Sequence, residues 1–243
     1  MDAMILAAGV GSRLGGITET LPKALVDVGG VRMLERVARR LIEAGADRLI
    51  INISHHADQI VDFVTGRDGF GVEVAFSREE PAPLETGGGV LHAAPLFRRD
   101  APFVLYNVDV ITDFDLTAMY RRHQQSGALV TLACNQRETS RFLLFDNDAG
   151  LCGRYDKRAG RGAELYTDCE SFRPWAFAGV HVISPPFLDL ITETGKFSIV
   201  DTYMRLTGLG CRIELFDIGR RLWLEMGTPE RLAAARAWAE QNA

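Results

Sequence analysis

Apolar runs alternate with segments of helical periodicity over the first 135 residues of the chain. A strand buried on both faces is continuously apolar, whereas an amphipathic helix repeats its apolar residues every three or four positions. On this basis the sequence predicts strands over residues 3–7, 48–53, 72–76, 103–107 and 129–133. It predicts helices over residues 33–42, 57–64, 88–97 and 116–125. This alternation is typical of an α/β fold with a Rossmann-like, mainly parallel sheet flanked by helices.

The pattern changes after residue 135, where predicted strands follow one another with turns between them. Strands are predicted over residues 142–145, 176–183 and 211–216, and turns over residues 147–150 and 158–162. Helices are predicted over residues 184–192, 199–206 and 229–241, because Ser198 and Thr228 suit N-cap positions and prolines follow Ser184 and Thr228. We interpret this half as an antiparallel extension folded over the first, so that residues 1–243 form a single domain.

A loop containing two glycines follows the first predicted strand. Gly9 and Gly11 precede Ser12 and Arg13, and Lys23 lies further along the chain. Because glycine has no Cβ, a phosphate oxygen can approach the backbone N–H groups of such a loop closely. Arg13 can donate two hydrogen bonds to a polyphosphate, and Lys23 supplies a compact point charge. The stretch therefore predicts a phosphate-binding loop.

Two better-known glycine loops do not fit this stretch. The dinucleotide-binding fingerprint needs a further glycine at position 14, where the chain has Leu14. The P-loop spacing occurs from Gly11 to Gly16, but Ile17 occupies the position of its lysine. A tight turn that carries two surface cations is the remaining, purely structural interpretation.

Composition limits the classes of protein to which the chain can belong. Its 243 residues carry a net charge of −5, with 47% hydrophobic and 24% charged residues. This balance predicts no broad basic surface for nucleic acid, so an anionic ligand must be bound by a few local cations. The first apolar run is too short for a signal peptide or a membrane span. We therefore expect a cytoplasmic protein without nucleic-acid or membrane partners.

The glycine loop also carries a family resemblance. The chain reads Leu6-Ala7-Ala8-Gly9-Val10-Gly11-Ser12-Arg13-Leu14, and Pro22-Lys23-Ala24-Leu25 follows. This series resembles the signature of the sugar-1-phosphate nucleotidyltransferases, which transfer a nucleotidyl group from a nucleoside triphosphate to a sugar 1-phosphate and release pyrophosphate. The segment Leu84-Glu85-Thr86-Gly87-Gly88-Gly89 looks most like the N-acetylmuramate-1-phosphate uridylyltransferase branch. The resemblance implies a fold of the nucleotide-diphospho-sugar transferase type and favours UTP.

The resemblance also implies roles for individual residues. Residues 1–135 would form the nucleotide-binding core, and residues 136–243 the acceptor-sugar lid and C-terminal helix. Arg13 and Lys23 would be catalytic: Arg13 faces the leaving pyrophosphate, and Lys23 neutralises the attacking phosphate. The residues expected to bind the acceptor are Glu85, Asn107 and Gly179. The residues expected to bind the nucleotide are Leu6, Ala7, Ala8, Gly9, Gly11, Ser12, Arg13, Thr86 and Gly87.

Two carboxylates are implied as ligands of Mg²⁺, the expected cofactor. Asp109 ends the motif Asn107-Val108-Asp109 after an apolar strand, and Glu225 lies in Trp223-Leu224-Glu225-Met226-Gly227-Thr228. The family commonly has glycine at the position of Val108 and aspartate at that of Glu225. We expect an ordinary backbone conformation at Val108, because valine tolerates a positive φ poorly, and we expect Glu225 still to bind the metal.

Three further expectations concern the second glycine cluster and the acceptor. Thr86 is expected to cap a helix that begins near Gly88, and three consecutive glycines could admit a flat base against the backbone. The Glu-Lys-Pro segment by which many family members contact sugar and phosphate is not found, and Lys157 and Glu164 are the nearest charged candidates.

Several alternatives stay open from the sequence. A cytidylyl- or guanylyltransferase acting on another phosphorylated acceptor would keep the same fold. A sugar-nucleotide-binding protein without turnover is kept open by Val108 and Glu225, whereas Leu14 disfavours a dinucleotide-dependent oxidoreductase. The partners expected are a nucleoside triphosphate and a sugar 1-phosphate, and the protein is expected to be a monomer or a homodimer.

Overall fold

The computed structural model describes residues 1–160 and 162–242. Its strands, in chain order, are β1 (Asp2–Leu6), β2 (Asp27–Val28), β3 (Val31–Arg32), β4 (Arg48–Ile53), β5 (Glu73–Arg78), β6 (Phe103–Asn107), β7 (Val110–Thr112), β8 (Val130–Asn135), β9 (Arg141–Phe145), β10 (Leu151–Asp156), β11 (Glu164–Leu165), β12 (Arg173–Ile183), β13 (Ile213–Asp217) and β14 (Trp223–Glu225). Its α-helices are α1 (Ile17–Thr20), α2 (Met33–Glu43), α3 (Ala57–Thr65), α4 (Glu85–Ala93), α5 (Leu116–Ser126), α6 (Ile199–Gly208) and α7 (Pro229–Gln241). Short 3-10 turns include Ser12–Leu14, Lys23–Leu25, Lys157–Ala159 and Pro185–Leu190.

A ten-stranded mixed sheet runs through the molecule in the order β11-β10-β9-β12-β6-β1-β4-β5, and β8 and β13 branch from β12. Strands β6, β1, β4 and β5 are parallel, with Ile5 opposite Ile51 and Tyr106. Strand β12 is antiparallel to β6, β8 and β9. The predicted fold class, a parallel α/β core with an antiparallel extension, is confirmed. The two halves share this sheet because β12 pairs directly with β6.

The sheet is buried on both faces, as the continuous apolar runs predict. Neighbouring residues of β1 point to opposite sides, so that Met4 packs into one core cluster and Ile5 into the other. Helices α2, α3, α5 and α7 contribute apolar side chains to the cluster of Ile5. Helices α4 and α6 contribute to the cluster of Met4, where Tyr203 is fully buried. Because β6, β1, β4 and β5 are parallel, their carboxyl ends share one edge of the sheet.

The predicted strands of the first half agree with the observed ones to within two residues. Strand β10 was missed, and residues 158–162 were predicted as a turn. A turn does follow β10, but Arg161 lies outside the described residues. Strand β10 has no clear alternation, because Gly153 interrupts it where β11 approaches: a Cβ at Gly153 would overlap the carbonyl of Glu164.

Two of the three predicted helix caps are confirmed. Ser198 accepts a hydrogen bond from the N–H of Val200 at 3.3 Å, and Thr228 accepts one from Arg231 at 3.4 Å. The prediction for Thr86 was wrong, because α4 begins at Glu85 and Thr86 already lies inside it. Its hydroxyl instead accepts a hydrogen bond of 3.0 Å from the N–H of Ile199, the first residue of α6. Thr86 thus joins α4 to a helix that is distant in sequence.

Acidification is expected to destabilise the fold through His181. Its ring is fully buried, its Nδ1 lies 2.7 Å from the Tyr203 hydroxyl, and burial lowers its pKa from 6.5 to about 3. Above pH 6.5 the ring is neutral in both the folded and the unfolded state. As the pH falls below 6.5, the ring becomes protonated in the unfolded chain but stays neutral in the folded protein. Stability therefore decreases from pH 6.5 towards pH 3. At about 1.4 kcal/mol per pKa unit, we expect roughly 2 kcal/mol to be lost between pH 7 and pH 5.

Urea unfolding of the wild type and of His181→Asn at pH 7 and pH 5 checks this expectation. Asparagine can still hydrogen-bond the Tyr203 hydroxyl but does not titrate in this range. The variant should lose less stability on acidification than the wild type. Equal losses in the two proteins would contradict the role given to His181.

Across the described residues, every helix is too short or too polar to span a lipid bilayer.

Candidate active site

The glycine loop lies at the carboxyl edge of the sheet, between β1 and α1. Directly after β1, the N–H of Ala7 donates a hydrogen bond of 3.1 Å to the backbone carbonyl of Asn52. The N–H of Ala8 donates one of 3.3 Å to the side-chain Oδ1 of the same residue. Gly11 has a φ of +68°, and a Cβ there would lie 3.2 Å from the Cβ of Lys23. A glycine is therefore required at this position, because the loop turns and packs directly against the segment that carries Lys23.

Lys23 and Asp109 form an ion pair beside this loop. Lys23 begins a short 3-10 turn after Pro22, and its side chain is only 11% exposed. Asp109 follows β6 and is 20% exposed. Val108 has a negative φ, as expected, since the described non-glycine residues with a positive φ are elsewhere. The predicted convergence of Lys23 and Asp109 is thus present in the fold.

The second carboxylate reaches the same edge through a small two-stranded sheet. Strand β14 pairs with β7, so that Glu225 lies opposite Val110, and the N–H of Met226 bonds the carbonyl of Asp109 at 3.0 Å. Arg13 Nη2 lies 4.0 Å from one oxygen of Glu225. The other oxygen accepts a hydrogen bond from Arg231. The fold therefore brings together two carboxylates that are far apart in sequence.

Gly227 makes room for this cluster. A Cβ at Gly227 would overlap Oε1 of Glu225 and would lie 2.9 Å from Nη2 of Arg13. Only a residue without a side chain lets both charged groups stay where they are.

A cavity of about 390 Å³ opens at this edge. Five of the predicted site residues border it: Arg13, Asn107, Asp109, Gly179 and Glu225. A second cavity of about 860 Å³ is bordered by Glu85 and Thr86. The other predicted nucleotide-binding residues lie elsewhere along these elements. Leu6 ends β1, Ser12 begins the 3-10 turn that contains Arg13, and Gly87 is in α4. The loop between β1 and the 3-10 turn contains Ala7, Ala8, Gly9 and Gly11. The nucleotide and acceptor roles given to these residues stay predictions.

Gly179 lies where β12 bulges between Phe177 and His181. It has a φ of +82°, and a Cβ there would be 3.1 Å from Nδ2 of Asn107. The backbone of β12 at Gly179 therefore comes close to Asn107. The Oδ1 atom of Asn107 is buried and, among the described residues, has no hydrogen-bond partner. An oxygen acceptor is thus left without a protein donor in a residue that borders the smaller cavity.

The three consecutive glycines of α4 have a packing reason. A Cβ at Gly87 would overlap the ring of Phe197, and one at Gly88 would overlap the carbonyl of Gly195. The N–H groups of Gly87 and Gly88 both point to the carbonyl of Phe197, at 3.0 and 3.4 Å. The fit between α4 and the segment before α6 thus accounts for Gly87 and Gly88 without a bound base, whereas a Cβ at the third glycine, Gly89, would lie 2.6 Å from Oε1 of Glu79. Glu85, just before them, has a φ of +61°.

Comparison with known proteins decides the family. The family model described as Nucleotidyl transferase matches residues 2–143. An N-acetylmuramate alpha-1-phosphate uridylyltransferase from Neisseria meningitidis serogroup B is 41% identical, over 98% of this chain and 98% of the relative. The chain belongs to the nucleotidyl transferase family. The membership of the sugar-1-phosphate nucleotidyltransferases predicted from the sequence is thereby confirmed.

Two further matches agree with this family. An N-acetylmuramate alpha-1-phosphate uridylyltransferase from Caulobacter vibrioides is 28% identical, over 97% of this chain and 95% of the relative. A solved structure, the UTP-bound UGPase from Acinetobacter baumannii, superposes with a TM-score of 0.81 at 17% identity and covers 100% of this chain and 94% of that one. The latter likeness supports the fold of this nucleotidyltransferase.

Two arginines that were not predicted as site residues, Arg137 and Arg231, border the smaller cavity of this nucleotidyltransferase. Arg137 follows β8, and its guanidinium lies over the ring of Trp223 at 3.6 Å. Burial lowers the pKa of Arg137 to about 10. Arg231 lies in the first turns of α7 and bonds Glu225. Neither arginine belongs to a motif, so only their position in the fold marks them.

The two charged candidates for the missing Glu-Lys-Pro segment separate in the structure. Lys157 lies 3.1 Å from Glu138 and over the ring of Phe142, and it borders neither cavity. Glu164 borders the larger cavity and accepts a hydrogen bond of 2.8 Å from Nε of Arg154. Of the two, only Glu164 is positioned to meet a ligand.

The oxygen donors at the smaller cavity suit a magnesium ion. No group of three or more His, Cys, Asp and Glu side chains in the described part of the chain is arranged to hold a metal on its own. Mg²⁺, however, is commonly bound by one or two carboxylates and completes its coordination with water and substrate phosphates. Asp109, Glu225 and the unpartnered Oδ1 of Asn107 border one cavity and fit this requirement.

Proposed function

We propose that this nucleotidyltransferase transfers the uridylyl group of UTP to N-acetylmuramate α-1-phosphate and releases pyrophosphate. Two relatives that match nearly the whole chain carry this activity in their names, at 41% and 28% identity. The observation that carries the chemistry is the convergence of Arg13, Lys23, Asp109 and Glu225 at one edge of the sheet.

The reaction needs positioning and neutralisation of charge more than covalent help from the protein. An oxygen of the acceptor phosphate forms a bond to the α-phosphorus of UTP, and the bond from that phosphorus to the bridging oxygen of pyrophosphate breaks. The nucleophile is already an anion at neutral pH, so no general base is required. In the proposed reaction Lys23 neutralises the attacking and α-phosphoryl oxygens, and Arg13 stabilises the leaving pyrophosphate.

We further propose that Asp109 and Glu225 bind Mg²⁺, as expected from the sequence. When bound, the ion would neutralise charge that builds up on the phosphate oxygens. Each carboxylate already faces a cation of the protein, Lys23 for Asp109 and Arg231 for Glu225. These cations offset part of the carboxylate charge, so in our proposal the substrate phosphates supply the remaining negative charge and oxygen ligands that the ion needs. The cytoplasmic location and the monomeric or homodimeric state stay predictions.

A panel assay tests the proposed function. Pyrophosphate release is measured with UTP, CTP or GTP against N-acetylmuramate 1-phosphate, N-acetylglucosamine 1-phosphate and glucose 1-phosphate, with and without Mg²⁺. We expect the highest kcat/KM for UTP with N-acetylmuramate 1-phosphate and no turnover after removal of divalent metal. A higher kcat/KM with CTP or GTP than with UTP would show that the proposed nucleotide substrate is wrong. UTP binding without turnover on any acceptor would favour a binding protein instead.

A further inference from the structure

Arg137 differs in its ion pairing from the other arginines around the two cavities. Each of the others lies within 4.0 Å of a carboxylate: Arg13 and Arg231 pair with Glu225, Arg141 with Asp156, and Arg154 with Glu164 and Asp201. Within the described residues, Arg137 has no carboxylate at ion-pair distance. It is therefore the one lining arginine in the described part of the chain that forms no ion pair, although Glu225 still attracts its charge from a longer distance.

Arg137 also lies where the two cavities meet. It borders both, together with Thr139 and Phe177. On one side are Asp109 and Glu225, the carboxylates of the proposed reaction centre. On the other side the larger cavity, of about 860 Å³, has aromatic and polar walls and room for a sugar. A ligand that occupies both cavities would therefore pass the three residues that the cavities share, of which Arg137 is the only cation.

The guanidinium is held in place by neutral groups. Nη1 donates hydrogen bonds to Oδ1 of Asn135 at 2.7 Å and to the carbonyl of Ala176 at 3.0 Å, and Nη2 donates one to the carbonyl of Phe177 at 2.7 Å. Its face packs on Trp223, whose Nε1 donates a hydrogen bond to the carbonyl of Ala178 at 3.0 Å. Three of the five N–H donors of an arginine are thus used, and two remain for a ligand.

The burial of this charge without an anion is unfavourable. Removal from water lowers the pKa of Arg137 to about 10, so the side chain is still cationic at neutral pH. A partly buried charge is stabilised well only when a counter-charge accompanies it. Carbonyl oxygens orient the guanidinium but do not neutralise it. The arrangement is suited to an anionic group of a ligand.

We propose that Arg137 binds the phosphate of the acceptor sugar 1-phosphate at the junction of the two cavities, with the sugar in the larger one. This inference rests on the function proposed above. The reacting phosphate must lie beside Asp109 and Glu225, and Arg137 is the lining arginine there without an ion pair. The proposed acceptor, N-acetylmuramate 1-phosphate, also has a carboxylate, but that group is remote from the reacting phosphate.

The test compares Arg137→Gln with Arg122→Gln, an exposed arginine of α5 outside both cavities. For each protein, KM is measured for UTP and for N-acetylmuramate 1-phosphate, and the inhibition constant is measured for N-acetylmuramate, which has the carboxylate but no phosphate. In Arg137→Gln the acceptor KM should rise at least about 10-fold, as for loss of a charge-assisted hydrogen bond. The UTP KM and the inhibition constant should stay within about twofold, since neither contact involves Arg137. Arg122→Gln should match the wild type.

Other outcomes overturn the assignment. An unchanged acceptor KM in a folded Arg137→Gln protein would exclude phosphate binding by Arg137. Equal weakening of N-acetylmuramate and its 1-phosphate would assign Arg137 to the carboxylate. If Arg137→Gln does not fold, Arg137→Lys is measured instead. Its KM for the acceptor should rise at least about threefold while its KM for UTP stays unchanged. No rise in the acceptor KM would refute the proposal. Failure of the proposed function would show instead as an inactive wild type.

Discussion

Replacement of Lys23 by methionine should lower kcat by about 10²- to 10³-fold, the effect expected when a charge aimed at the transition state is lost. Methionine keeps much of the length and apolar character of the lysine side chain but removes its charge. Lys23 is the cation that lies closest to Asp109, and its side chain is 89% buried from solvent, so water cannot readily take its place. Steady-state kinetics with saturating UTP and acceptor measures the effect.

The loss could also arise from Asp109, whose partly buried side chain would be left without its partner. Because Asp109 is itself proposed to bind Mg²⁺, metal binding separates the two causes better than a double variant would. We expect Lys23→Met to bind Mn²⁺ in the presence of UTP at least as tightly as the wild type, since a competing cation is removed, while kcat stays low. Loss of Mn²⁺ binding in Lys23→Met would assign the effect to Asp109 and contradict a direct role of Lys23 in the chemistry.

A matched control removes a cation from an ion pair elsewhere. Arg39 pairs with Glu35 along α2, and its side chain is 67% exposed. Arg39→Met should keep kcat within about twofold of the wild type, because exposed pairs of this kind contribute little. A near-native kcat for Lys23→Met would overturn its proposed role.

Replacement of Glu225 by glutamine is expected to weaken metal binding at least about 10-fold and to lower kcat by about 10²-fold, because a neutral amide is a poor ligand for Mg²⁺ and stabilises less charge. Mn²⁺ titration in the presence of UTP, followed by water-proton relaxation, measures metal binding without turnover. Glu225→Asp keeps the negative charge, but its side chain is shorter by one methylene, so the carboxylate lies closer to the β14 backbone at the position opposite Val110. A change in metal affinity for Glu225→Asp is therefore also expected.

Glu138 provides the control for this second prediction. It borders the same cavity, but its side chain is 95% exposed and pairs with Lys157. Glu138→Gln should leave Mn²⁺ affinity within about twofold, because an exposed carboxylate contributes little to a metal site held by Asp109 and Glu225. Unaltered Mn²⁺ affinity in both Glu225→Gln and Glu225→Asp would show that Glu225 does not coordinate the ion. The ion pair with Arg231 would then be its structural role.

The contact between β7 and β14 connects these two predictions. Both strands have three residues, too few for an apolar pattern to reveal them. Their pairing nevertheless joins Asp109 to Met226 through a backbone hydrogen bond of 3.0 Å and fixes Glu225 opposite Val110. A sequence motif can therefore identify the two carboxylates as candidates. The distance between them is determined by the pairing of strands that are far apart in sequence.

Other differences between expectation and structure have a similar cause. Thr86 looks like a helix cap because local sequence favours such caps, but its hydroxyl bonds Ile199 of another helix. The glycines of α4 look like a surface for a flat base, but Phe197 and Gly195 occupy the space beside Gly87 and Gly88. In both cases a distant segment supplies the partner, and no local pattern can identify it.

The residue order along the chain was enough to predict the alternation that builds the parallel core, the loop with Gly11 and Arg13, and Asp109 and Glu225 as candidate metal ligands. These features depend on local propensities and on short motifs, which can be read along the chain. The position of Arg137 between two cavities without an ion pair, and the hydrogen bond from Arg231 to Glu225, could be seen only in the folded protein. The physical reason is that charge compensation depends on distances through space, and the folded sheet and helices set those distances.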